Sequence, residues 1–445
     1  MALGEDPVRA AGDRPGGVLR FVTAGSVDDG KSTLIGRLLL DSKALLSDQA
    51  EAIARSRHAR ADAGELDLAL AVDGLEAERE QGITIDVAYR YFSTPRRSFI
   101  IADAPGHEQY TRNMVTGAST ADLVVVLVDA YRARSGQLLA QTRRHAAIAA
   151  LMGLDIMFAV NKIDLVDFSE ATFAAISASI DRLSRALGVS ARIIPIAAKA
   201  GDNIVDRSER LGWWKGPTLL EALEAAPLRA ARAAAALRFP VQRVVRVGGS
   251  TKEAFRGYAG RVDSGLIAVG DEIEVAASGA RAIIAGISTF DGPRAFAGAG
   301  RSVTITLDRE IDASRGDTFG PVGLRAQTST HLVADVCWLS DAPWAKGRRY
   351  ILKQGALRTG AVVTDILFRR DPAADLQEVE SPGALVMNDL ARVRFTTQKP
   401  ILADAYADLP ATGGAILIDP FSHQTAAALF LRGAVPDESA SEWSI

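Results

Sequence analysis

The sequence predicts a mostly parallel α/β sheet with helices on both faces, followed by two small β-barrels. Three observations carry that expectation. From residue 19 to about 226, apolar runs of strand length alternate with helical stretches, as they do when strands are covered on both faces of a sheet. A glycine-rich turn, Gly25-Ser26-Val27-Asp28-Asp29-Gly30-Lys31-Ser32, joins the first strand to the first helix. Beyond residue 238 the pattern changes to many short strands separated by Gly- and Asp-containing turns, the signature of small barrels or sandwiches.

Taken in order, residues 19–24 read as a buried strand and 32–39 as a helix with apolar residues four apart. Residues 98–102, 123–128 and 156–160 are continuous apolar runs, with helices expected over 137–151 and 169–187. In such a sheet a ligand belongs at the carboxyl ends of the strands. The runs 241–245, 272–275 and 303–307 supply the first barrel; those around Cys337 and at 350–352, 361–368, 391–396 and 415–418 supply the second. An Ala/Arg-rich stretch, 228–237, connects the first barrel to what precedes it. The expected limits are a disordered segment 1–17, a nucleotide-binding domain 18–228, barrels 238–328 and 331–432, and a flexible tail 433–445.

The bulk numbers narrow the function. A chain of 445 residues is too long for one ordinary core. Its 51 basic and 54 acidic residues give a net charge of −3, which leaves no electrostatic footprint for tight nucleic-acid binding. The single cysteine, Cys337, excludes an intramolecular disulfide and lies in an apolar run, as a small buried hydrophobe would. The first 17 residues lack the apolar core of a signal peptide, and no apolar run reaches the roughly 18 residues needed to span a bilayer. The expectation is a cytoplasmic protein without a membrane partner.

Four motifs carry the chemistry. The first is the turn above, Gly25 to Ser32, followed by Thr33. It fits the phosphate-cradling pattern of Gly, four residues, Gly-Lys-Ser, in which backbone N–H groups and the helix dipole face a polyphosphate. Lys31 would reach the terminal phosphates and the Ser32 hydroxyl would bind Mg²⁺. Asp28 and Asp29 are unusual neighbours for a triphosphate, and each must turn its carboxylate away. The second motif, Asp103-Ala104-Pro105-Gly106-His107, follows a buried strand. Asp103 would hold Mg²⁺ through water, Gly106 would give its N–H to a γ-phosphate, and His107 would position the attacking water. The third, Glu78-Arg79-Glu80-Gln81-Gly82-Ile83-Thr84-Ile85-Asp86, supplies Thr84 to complete the Mg²⁺ coordination and to order or release a switch segment with the γ-phosphate. The fourth is Asn161-Lys162-Ile163-Asp164. The Asp164 carboxylate accepts from both N1–H and the exocyclic amine of guanine, donors that adenine lacks. Lys162 packs along the base, Asn161 ties loops together, and the backbone at Ala197-Ala198-Lys199 reaches the guanine oxygen. The set describes a site for GTP with Mg²⁺. The remaining histidines, His58, His145, His331 and His423, show no metal-ligand spacing and read as structural.

Asp-Ala-Pro-Gly-His, Asn-Lys-Ile-Asp and the two β modules resemble the translation-factor class of GTPases, such as elongation factor Tu. The stretch Gly25 to Leu39, the segment Glu80-Gln81-Gly82-Ile83-Thr84-Ile85-Asp86-Val87-Ala88-Tyr89-Arg90-Tyr91-Phe92, and Thr412-Gly413-Gly414-Ala415-Ile416-Leu417-Ile418-Asp419 are similar to one branch: the GTPase (large) subunit of bacterial sulfate adenylyltransferase. The resemblance runs from about residue 19 to 432. It implies that GTP hydrolysis is coupled to formation of adenylyl sulfate and diphosphate from ATP and sulfate, on a separate small catalytic subunit. Some relatives carry a C-terminal adenylylsulfate kinase; with no second phosphate loop before Ile445, that activity is expected to be absent. Ala197 stands where the family usually has Ser, and Lys199 where these subunits usually have Leu, which bears on the rigidity of the last guanine loop. Two other readings fit the architecture: a translation elongation factor-like GTPase acting on tRNA or the ribosome, and a scaffold that holds nucleotide without turnover. The Asp-Asp loop and the charge balance oppose the first; Lys31, Ser32, Thr84, Asp103 and His107 together oppose the second.

Overall fold

A computed structural model describes residues 16–42, 87–228, 235–247, 255–372, 374, 376–380 and 382–435. Thr84 with its segment, His58, most of the 228–237 connector, and most of the two terminal segments therefore lie outside the described residues. The chain divides into two compact units near residue 230, with 371–377 grouped in the first.

The first unit is built on a six-stranded sheet. Its strands are β1 (Val18–Ala24), β2 (Ala88–Ser93), β3 (Ser98–Asp103), β4 (Leu123–Asp129), β5 (Asp155–Asn161) and β6 (Ala191–Pro195), in the spatial order β2-β3-β1-β4-β5-β6. All neighbours run parallel except β2, which pairs antiparallel with β3 at one edge. The helices are α1 (Lys31–Asp41), α2 (Thr111–Ala118), α3 (Ala140–Leu151), α4 (Glu170–Leu187) and α5 (Leu219–Glu224). Every residue of β4 is buried. Successive side chains on a strand point to opposite faces, so both faces of the sheet are covered. Leu123, Val125 and Leu127 join the core that holds Leu34, Ile35 and Leu38 of α1 and Leu219 and Leu223 of α5. Each such side chain contributes about 1.5–3 kcal/mol by leaving water. The edge strand β2 buries little, and its Tyr89 and Tyr91 stay exposed, as expected of a strand with one free side.

The second unit contains two closed sheets. In the first, strands run in the order Glu272–Val275, Thr318–Gly320, Phe239–Val247, Phe255–Arg261, Ser302–Leu307, Arg281–Thr289, Gly292–Arg294, and Glu272–Val275 pairs back onto Arg281–Thr289 to close the ring. In the second the order is Arg349–Gln354, Gly414–Ile418, Thr425–Ala434, Thr328–Trp338, Leu390–Leu402, Leu357–Asp371, Gln377–Glu380, closed by Arg349–Gln354 against Leu357–Asp371. Closure removes sheet edges. Cys337 is fully buried in its strand. Among the described residues no helix is long and apolar enough to cross a membrane.

Candidate nucleotide site

The motifs meet where β1, β3 and β5 end. β1 stops at Ala24, and α1 begins at Lys31 after Gly30, whose φ of 92° lies in the left-handed region. No side chain caps α1 and no acidic residue occupies its first turn, so its first N–H groups face outward with the positive end of the dipole. Gly30 is required twice over. A side chain there would be strained at that φ, and its Cβ would collide with Asn161 Nδ2.

Lys31 is only 8% exposed, and its ammonium spans the loop: Nζ donates to Ser26 O at 2.7 Å and to Gly25 O at 3.2 Å. Burial lowers its pKa, while Asp29, Asp103 and Asp28 raise it. Gly106 packs directly on this ammonium. A Cβ on Gly106 would collide with Nζ and would lie 2.9 Å from Ser26 O. The Asp-Ala-Pro-Gly turn is thus held against the phosphate loop. Asp103 ends β3, is 1% exposed, and accepts from the Thr23 hydroxyl at 3.2 Å. His107 is half-buried at the start of a short 3₁₀ turn, Glu108–Tyr110, with its ring edge-on to Tyr110 at 6.2 Å.

The two loop aspartates behave differently. Asp28 is exposed, with φ of 64°. Asp29 turns inward and is fully buried: Oδ2 accepts from Ser26 N, and Oδ1 has no hydrogen bond and sits 3.8 Å from the Arg132 guanidinium. Burial pushes its carboxyl up to about 6, against the opposing pull of Lys31. Arg132 also donates to Val27 O at 2.9 Å. An inward Asp29 braces the loop from within, which answers how a carboxylate coexists with a triphosphate site.

At the base end, Asn161 is buried and joins three segments. Its Nδ2 donates to Asp29 O at 2.8 Å and its Oδ1 accepts from Ala198 N at 2.9 Å. The Ala198 amide is thereby committed to Asn161. Ala197 is buried and Lys199 exposed, and both Ala198 O and Lys199 O accept from Arg37 of α1. Lys162 adopts φ of 59°, and its Nζ pairs with Asp129 Oδ2 at 2.7 Å. Asp129, at the end of β4, also accepts from the amides of Tyr131 and Arg132. Ile163 is buried while Asp164 is half-exposed in the 3₁₀ turn Ile163–Val166. The structure thus brings together Gly25 to Thr33, Asp103 to His107, Asn161 to Asp164 and Ala197 to Lys199.

Several residues at this rim escape the motif reading: Thr23, Arg37, Asp129, Arg132 and His145. His145, structural by its sequence context, is fully buried behind the loop, its Nδ1 accepting from Gly25 N at 3.0 Å. The signal available for Asp129 was an acid closing an otherwise wholly apolar strand. For His145 the sequence offers none, since its partner lies 120 positions away.

This sheet order, with a phosphate loop after its first strand and Asn-Lys-Ile-Asp after its fifth, defines a nucleotide-binding domain of the translation-factor type. Residues 17–227 match the elongation factor Tu GTP binding domain family, and residues 331–430 match the GTP-eEF1A C-terminal domain-like family. The chain is 48% identical to sulfate adenylyltransferase subunit 1 of Vibrio parahaemolyticus over 426 residues, covering 94% of this chain and 87% of that protein. It is 45% identical to the same-named subunit of Aliarcobacter butzleri over 426 residues, covering 95% and 89%. With the bifunctional enzyme NodQ of Rhizobium meliloti it shares 47% identity over 414 residues, 92% of this chain but 63% of that protein, so it spans just under two thirds of that relative's length. The chain belongs to the sulfate adenylyltransferase subunit 1 family.

Proposed function

We propose that this protein is the GTP-hydrolysing subunit of a cytoplasmic sulfate adenylyltransferase, and that GTP hydrolysis here drives ATP + sulfate → adenylyl sulfate + diphosphate on a separate small catalytic subunit. The observation that carries the reading is full-span identity of 45–48% with proteins of that name, joined to a rim where a phosphate loop, Asp103–His107 and Asn161–Asp164 converge.

Each residue then has a task. The loop Gly25 to Thr33 and the start of α1 cradle the β- and γ-phosphates through backbone N–H groups. Lys31, poised between two loop carbonyls, turns its ammonium to the terminal phosphates. Ser32 and Asp103 are a hydroxyl and a buried carboxylate at the loop, the oxygen donors Mg²⁺ favours, and with Thr84 they would hold it. Bound there, Mg²⁺ would neutralise charge on the β- and γ-phosphates. His107 orients the attacking water, and its backbone neighbour Gly106 reports the γ-phosphate. Asp164, Lys162 and Asn161 take the guanine, with Ala197, Ala198 and Lys199 closing the pocket's far side. Adenylyl sulfate formation is steeply uphill, so a second hydrolysis drives it only through linked conformational states. A segment that follows the γ-phosphate supplies that link.

The deciding experiment is co-purification with the small subunit followed by diphosphate release from ATP and sulfate. Release should rise with GTP and lose that dependence in Lys31→Ala. Release indifferent to GTP in the intact complex would overturn the coupling. Tight GTP-dependent capture of aminoacyl-tRNA on filters would instead place the chain among the translation factors.

A further inference from the structure

We propose that His145 is a positioning residue of this nucleotide site: an imidazole supplied by α3 holds the Gly25 amide and so sets the phosphate loop before a nucleotide arrives. The inference rests on the GTP-site reading above and extends it to a side chain that no motif contains.

The reason lies in where the sheet stops. The parallel pairing of β1 with β4 ends at Ala24↔Val126. Gly25 is the first residue to leave the sheet, and its N–H needs a partner from elsewhere, because a buried amide without one is costly. His145 Nδ1 accepts that N–H at 3.0 Å. Nothing on Gly25 itself could do the work. Its φ is +146°, and a Cβ would lie 3.0 Å from Leu127 O and 3.1 Å from Asp29 Oδ2. On its other side the Gly25 carbonyl accepts from Lys31 at 3.2 Å. The residue is therefore gripped from both ends, by His145 at its N–H and by Lys31 at its C=O. When Lys31 transfers its ammonium to a phosphate, the His145 bond is the grip that remains. An accepting Nδ1 carries no proton, and the imidazole is kept neutral: burial first, then the charges of Lys31 and Arg144, push it down to about 3. The residue sits on the same helix as Arg144, whose guanidinium pairs with Glu108 at 2.7 Å, next to His107. α3 thus braces both the phosphate loop and the segment that follows His107.

The test compares three full-length proteins: wild type, His145→Asn and His145→Leu. The asparagine Oδ1 falls close to the Nδ1 position and accepts the Gly25 N–H; leucine fills the space and accepts nothing. GDP and GTP dissociation constants, single-turnover hydrolysis at saturating GTP, and hydrogen exchange of the 21–30 peptide in nucleotide-free protein are measured. In His145→Leu both nucleotides should weaken by about tenfold, the worth of one buried amide left unpaired. Hydrolysis at saturation should stay within about twofold, and the peptide should exchange faster, whereas His145→Asn should restore both readouts. Should His145→Leu fail to fold, His145→Ala serves in its place. Wild-type affinity in the leucine or alanine variant, or equal damage in the asparagine and leucine variants, would overturn the assignment. A wild type that binds no guanine nucleotide would overturn the site reading beneath it.

Discussion

Asp29 shows how a single buried group leaves a mark on the behaviour of the free protein. Its carboxyl rises from 3.8 to about 6 because burial outweighs Lys31, the Ser26 amide and Arg132. Between those two values the folded chain still holds a proton that the unfolded chain has released. This group's contribution to stability therefore falls as pH rises from about 4 to about 6 and is flat above that. Asp29→Asn cannot ionise, so its melting temperature relative to wild type should climb across that window and then level off; a constant difference would contradict the buried charge. Base choice is a second single-residue matter. Two hydrogen bonds to a charged acceptor are worth roughly 3–6 kcal/mol, so Asp164→Asn should weaken GTP by about 10²–10⁴-fold. The same variant should gain xanthine nucleotides, whose extra carbonyl accepts from the amide; an unchanged preference for GTP in competition binding would refute the assignment. His107→Ala should bind GDP normally while hydrolysing GTP about 10²–10⁴-fold more slowly, the usual scale for a group that handles a proton or water. That Lys31, Asp103, Asn161 and Asp164 would converge at one rim was legible because the proposed chemistry restricts both type and spacing. Arg132 and His145 were not, because each acts on a backbone group distant in sequence, and only the fold brings the partner near.

Elements were legible where burial on two faces dictates a pattern and less so elsewhere. The apolar runs became β1, β3, β4 and β5 almost residue for residue. The helix expected over 137–151 starts at Ala140, because Gly136 has a positive φ and Leu139 is extended. Thr425–Ala434, which lies between two strands of the second barrel, carries no strand signal in its sequence: its Ala-Ala-Ala-Leu-Phe-Leu core has helical propensity, and packing overrides it. The element with most consequence is α1, whose N-terminus faces the phosphate site while Arg37, two turns on, holds the carbonyls of Ala198 and Lys199. One helix thereby ties the phosphate-loop end of the candidate site to the 197–199 loop. Arg37→Ala should free the loop and weaken GDP and GTP alike by about tenfold, the value of roughly one charged hydrogen bond. Hydrolysis at saturation should hold. A selective loss of hydrolysis, read in single-turnover assays, would place Arg37 in the chemistry instead.

At the scale of the molecule, the change in sequence pattern near residue 238 announced a change of architecture, yet nothing in the pattern showed how the two barrels meet. Their junction is polar at its centre. Arg238, 2% exposed at the head of the first barrel, gives Nε and Nη2 to Asp404 at 2.9 and 2.8 Å, and Nη2 also to Gln327 at 2.6 Å. Asp404 in turn accepts from the Thr412 hydroxyl at 2.6 Å. Leu324, Ala276 and Leu402 form a small apolar cluster across the same junction, and Gly316 of the first barrel meets the Leu357 backbone of the second. A bidentate Arg–carboxylate pair fixes orientation as well as distance, so this pair sets how the two barrels are joined. Removing one member of a buried pair leaves the other charge uncompensated, at a cost of about 3–5 kcal/mol, while replacing both with apolar groups is far milder. Arg238→Ala should therefore lower the denaturant midpoint markedly and separate the melting of the barrels into two steps. Arg238→Leu combined with Asp404→Leu should recover much of that loss and restore a single step. If instead the single and double variants unfolded alike, the ion pair would not be what joins the barrels, and the apolar cluster around Leu324 would have to carry the junction alone.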